Sequence, residues 1–149
     1  MAQFGRPSAD TNNDGAWVDE AAGSVNLWDG IDEVTAEDTL FIESVSAPSA
    51  APYVAALQDI VLEDPVSSSG HIVRYRYQKN ASGGATIGLT VELRQGYVSE
   101  ASQGTLIASS VEADIGNGFV SDSFTLAGGE ADAITDYTDL YIRIVANQT

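Results

Sequence analysis

The chain has 149 residues, 44% of them apolar, with 22 acids against 6 bases and a net charge of −16. This length and apolar share fit one folded domain with a core, neither a disordered segment nor two domains. The acidity sets the surface against phosphate backbones and so against nucleic acid, and the lack of cysteine removes disulfides and thiolate metal sites.

No apolar run approaches a membrane span, and the first ten residues lack the apolar core of a signal peptide. Synthesis in a cytoplasm, with no membrane partner, is the expectation. The charge is uneven: residues 1–64 hold 13 acids and one base, a net of −12, and residues 65–149 hold 9 acids and 5 bases, a net of −4. Either the whole surface is simply acidic and soluble, or the first half faces solvent while the second docks.

The first motif is "ADTNNDGAW". Asp10, Asn12 and Asp14 alternate and Gly15 follows, which is the opening half of a calcium loop. The closing acid falls on Ala21, with Glu20 one place early. A polar turn is therefore favoured over Ca²⁺, and residues 1–15 read as an extended N-terminal arm. Trp17 opens a strand in this reading, and Val25–Trp28, Leu40–Ser44 and Tyr53–Leu57 are weaker strand candidates. "SAPSAAP" (46–52) reads as an extended surface connection.

Three segments alternate cleanly, as half-buried strands do. In "HIVRYRYQK", Val73, Tyr75 and Tyr77 oppose Ile72, Arg74 and Arg76. In "TIGLTVELRQG", Ile87, Leu89, Val91 and Leu93 oppose Gly88, Thr90, Glu92 and Arg94. In "LYIRIVANQ", Leu140, Ile142 and Ile144 oppose Tyr141, Arg143 and Val145. "NASGG" (80–84) has the length and glycines of a hairpin turn between the first two. Thr105–Ser109 and Phe119–Leu126 add two further strands. "EDPVSSSG" (63–70) and "DIGNG" (114–118) read as loops. "GGEADAITDYTD" carries helical spacing at Ala133, Ile134 and Tyr137, which predicts one short helix near residues 129–137. The fold class expected is all-β, an antiparallel β-sandwich or jelly-roll-like domain spanning 1–149.

Catalytic signals are weak. His71 is the only histidine, no G-x-S-x-G elbow accompanies it, and some pair among 22 acids lies close by chance. No phosphate-binding glycine motif stands in a strand-to-helix context. The expectation is a protein without enzymatic activity or resident cofactor. The bases say more: Arg74, Arg76, Arg94 and Arg143 lie on polar strand faces, and would form a docking face if those strands are neighbours. Ordinary cross-strand pairing with acids such as Glu92 is the competing reading. Tyr75 and Tyr77 share a face with Val73 and read as core, which leaves Tyr97 and Tyr141 as the aromatics for an exposed sugar platform.

The pieces "LWDGIDE" (27–33), "SSSGHIVRYRY" and "EADAITDYTDL" (130–140), in this order over nearly the full length, resemble small virion structural proteins of tailed bacteriophages. The resemblance implies a particle component and no enzyme, and carries no functional residues with it. A capsid decoration (cement) protein is the leading expectation, located on the capsid exterior of the virion. Its partners would be the major capsid protein or further copies of itself. A tail- or fibre-associated subunit and a carbohydrate-binding adhesion module are the alternatives.

Overall fold

The computed structural model describes residues 3–58, 64–80 and 85–149. The strands are β1 (Arg6–Asn12), β2 (Val18–Asp19), β3 (Ile42–Glu43), β4 (Ala51–Gln58), β5 (Ile72–Tyr77), β6 (Ile87–Gln95), β7 (Thr105–Glu112), β8 (Val120–Thr125) and β9 (Leu140–Gln148). A 3₁₀ turn spans Leu27–Gly30, and a four-residue helix, α1, spans Gly128–Ala131. The chain is all-β and every pairing is antiparallel.

One five-stranded sheet, in the order β1-β4-β9-β6-β7, dominates; β2-β3 and β5-β8 form two-stranded ribbons. The period-2 alternation sets the inner face of the large sheet. Tyr53 and Val91 both lie opposite Ile144, and Ala55 and Leu93 both lie opposite Ile142. These rows form the core with Leu89, Ala146, Trp17 and Leu27. Over them lie Val73, Tyr75 and Tyr77 of β5 and Phe124 of β8, so the β5-β8 ribbon is the second layer. Leu126, Ala131 and Ile134 close one end against Leu93, Ile107 and Leu140.

Several expectations change. The two strong strands on either side of "NASGG" do not form a hairpin: β5 pairs with β8, and both edges of β6 are taken by β7 and β9. Residues 81–84 of that segment lie outside the described residues. Within the segment read as an arm, Arg6–Asn12 is an edge strand paired with β4. Val25–Trp28 is no strand. Asn26 takes φ 57°, and the chain turns into the 3₁₀ segment. Ala51 and Pro52 of "SAPSAAP" belong to β4 and are buried. The helix expected near 129–137 stops at Ala131. The Glu130 carboxylate accepts the Ala127 N–H at 2.7 Å at its start, but beyond it the N–H groups of Thr135 and Asp136 donate to Gln95 Oε1 at 2.8 and 3.1 Å. A side chain from β6 thus supplies partners that a continued helix would have to replace.

Candidate interaction surface

The four arginines do not share one face. Glu92, Arg94 and Arg143 lie on the side of the large sheet turned away from the core, whereas Arg74 and Arg76 lie on the outward side of the β5-β8 ribbon. The two groups therefore occupy opposite outer surfaces, because β5 belongs to a different layer from β6 and β9.

Arg94 and Arg143 are ion-paired within the chain and largely buried. Glu92 Oε2 accepts Arg94 Nε at 2.7 Å and an Arg143 terminal nitrogen at 3.1 Å. Glu100 forks onto Arg143, with Oε1 accepting Nε at 3.0 Å and Oε2 accepting the other terminal nitrogen at 2.6 Å, the geometry that suits guanidinium and carboxylate best. Glu100 also accepts the Tyr97 hydroxyl at 2.8 Å and Gln103 Nε2 at 3.0 Å. Two arginines and two glutamates make the cluster neutral. The side chains of Arg94, Arg143 and Glu92 are only 11–13% exposed. The Arg143 guanidinium holds the Glu100 carboxyl below its usual range, and Glu100 in turn raises Arg143.

The loop after β6 builds this cover. Gly96 and Gly104 take φ of 72° and 66°, left-handed values that glycine adopts without strain. Between them Val98 N–H bonds Ser102 O at 3.0 Å, and the loop folds Tyr97 and Glu100 back onto the sheet. Tyr97 is 3% exposed and packs on Tyr141 with ring centroids 5.9 Å apart. The exposed platform expected from Tyr97 and Tyr141 is therefore a packed pair. Burial, together with the bond to Glu100, pushes the Tyr97 hydroxyl well above its ordinary pKa. Tyr75 and Tyr77 stack at 5.7 Å beneath the ribbon, facing the core as read from the sequence.

The ribbon's outward face is different in kind. It carries Ile72, Arg74 and Arg76 on β5 opposite Thr125, Ser123 and Ser121 on β8. Arg76 grips Asp38 through both carboxylate oxygens at 2.5 and 2.7 Å, donates to Ser121 Oγ at 2.9 Å, and lies 5.1 Å over Phe119. Arg74 is exposed and, among the described residues, has no ion-pair or hydrogen-bond partner. Neither strand places an acid on this face, since Asp122 falls on the inner side opposite Tyr75. On a chain of net charge −16 the result is a hydroxyl-rich strip that presents Arg74, unpaired among the described residues.

The remaining sequence candidates fall elsewhere. Asp10 Oδ2 accepts the Leu27 N–H and Oδ1 accepts the Trp28 N–H and the Tyr53 hydroxyl, at 3.0, 3.0 and 2.7 Å. Asn12 Oδ1 accepts the Asp14 N–H at 3.0 Å in an Asx turn. Asp10 and Asn12 thus bond within the chain, to backbone N–H groups and, for Asp10, the Tyr53 hydroxyl, and among the described residues no group of His or acids is placed to hold a metal. His71 Nε2 lies 2.7 Å from the Tyr137 hydroxyl, and its buried Nδ1 meets no partner among the described residues. A recess of about 350 Å³ opens beside Tyr137, lined by Asp64, Ser67, Ser68, Asp132 and Ile134. No described helix is long and apolar enough to cross a membrane.

No family model matches this chain, and neither the curated proteins nor the solved structures contain a match.

Proposed function

We propose that the chain is a structural component of a tailed-bacteriophage virion, a decoration subunit that adds to the assembled shell from outside and braces neighbouring capsid subunits. The observation that carries this reading is the outward face of the β5-β8 ribbon, which among the described residues has no unpaired acid and bears Arg74 without a partner. Such a face can approach an acidic or neutral protein surface that the rest of a −16 chain would repel. The sequence resemblance to virion proteins supports the same reading. A subunit that binds only the assembled shell stabilises it by mass action and needs no chemistry. Attachment to a tail or fibre by the same face is the second reading. The adhesion-module alternative loses its aromatic platform, because Tyr97 is buried.

The test is co-sedimentation with heads lacking the protein. Binding at many equivalent lattice sites is expected, and Arg74→Glu is expected to lower occupancy while leaving the fold intact. Association with detached tails alone would assign the tail role. Unchanged occupancy for Arg74→Glu would remove Arg74 from the interface.

A further inference from the structure

We infer that β7 is a self-association edge, where a second copy of this chain pairs antiparallel to form one continuous sheet across a two-fold axis. The two edges of the large sheet differ. On the β1 side the pairing breaks register twice and Pro7 removes a donor, devices that blunt an edge. The β7 edge has one register shift, at its start, and neither proline nor lysine. Among the described residues no backbone group of β7 bonds outside its ladder with β6. Its free side is a row of donors and acceptors ready for another strand.

Charge points to the occupant. Two copies at −16 repel wherever their acids meet, so self-association requires a strip without them. Ser102–Val111 is such a strip, ten residues with no charged side chain. Leu106 and Val111 on β7 are 47% and 67% exposed, apolar surface that a neighbour would cover. An axis at Ser109 sends the two strands past each other, so the Glu112 carboxylates lie at opposite ends of the pairing and do not meet. A strand matched to itself in this way is an isologous interface, which closes at two copies. The area of one strand pair is small, so the dimer is expected to depend on concentration in the micromolar range.

This proposal does not rest on the virion assignment, and its test needs no particle. Sedimentation velocity on the full chain should show monomer passing to dimer as concentration rises. Raising salt from about 0.05 to 0.5 M should strengthen the dimer, because screening relieves repulsion between the two acidic bodies. Val111→Glu should leave a monomer, with unchanged circular dichroism and thermal midpoint. Val25→Glu alters an equally exposed valine (71%) by the same charge outside the large sheet, and should dimerise as wild type does. A wild-type chain that stays monomeric at every concentration and salt overturns the inference. So does a dimer that Val111→Glu leaves intact, or one that Val25→Glu disrupts equally.

Discussion

Asp10 and Tyr53 form the hydrogen bond that joins the edge strand to the core: the Tyr53 hydroxyl donates to Asp10 Oδ1 at 2.7 Å, and the tyrosine is fully buried. The same carboxylate caps the 3₁₀ turn through Leu27 and Trp28 N–H. Asp10 is itself exposed, so its bonds compete with water and fall at the low end of charge-assisted values. Asp10→Ala is expected to cost about 1–2 kcal/mol and Tyr53→Phe about 1 kcal/mol, with a sum exceeding the double mutant's loss because the two share one bond. Urea unfolding of the four proteins checks this. The same protein measured with calcium and with chelator should give one thermal midpoint; a higher midpoint with calcium would revive the metal reading of "ADTNNDGAW".

Glu100 gives the acid side of the stability profile. Its carboxyl is depressed below 4.5, chiefly by the Arg143 bonds. A depressed carboxyl contributes fully above the unfolded value and loses its contribution as pH falls through the folded one. Glu100→Gln should therefore be less stable than wild type by about 1–3 kcal/mol at pH 7. The gap should stay full above the ordinary carboxyl range and narrow as pH falls below it, through the depressed folded-state value. Denaturant midpoints across this range measure it, and a gap independent of pH would mean that packing of the loop, not the charge, is what Glu100 supplies.

These two cases show what the sequence could and could not reveal. Alternation in β5, β6 and β9 reports which residues share a face, so Tyr75, Tyr77, Val91 and Ile142 were legible as core. Alternation says nothing about which strand lies alongside, and that is why the arginines of β5 were expected beside those of β6. The segment Arg6–Asn12 has no apolar alternation, so pairing with β4, not pattern, makes it a strand. The cover over Arg143 comes from the loop, and its only advance signals were Gly96 and Gly104 bracketing Tyr97 and Glu100. Asp38, which clamps Arg76, arrives from a segment 38 residues away with no local pattern.

The arginines should separate sharply in mutagenesis. Arg74→Glu changes an exposed side chain with no partner among the described residues and is expected to shift stability by less than about 0.5 kcal/mol. Arg94→Glu places a third carboxylate beside Glu92 at a position only 9% exposed, and leaves Gln103 O without its donor. Breaking a buried pair in this way is expected to cost about 3–5 kcal/mol. Thermal unfolding of both proteins distinguishes them, and an equal, small effect would mean that the cluster is more hydrated than its exposure indicates.

Gly104 tests whether the loop is what seals the outer sheet face. Its φ of 66° is left-handed, and a Cβ there would run into the backbone of Gln95 and Gly96. Alanine would thus face both a conformational penalty and a collision with main chain that cannot move aside as a side chain could. Gly104→Ala should cost more than about 1 kcal/mol and should lift the loop, freeing Tyr97 and Glu100 from the sheet. Gly116→Ala is the matched control, since a Cβ at Gly116 meets nothing within 4 Å and its φ is ordinary. Lifting the loop should bring the Tyr97 hydroxyl back down towards its ordinary pKa, because burial is the main cause of its rise. Ultraviolet titration of tyrosinate in the alanine variant reads this directly. A titration identical to wild type, with the stability loss present, would show that the strain is absorbed without opening the loop.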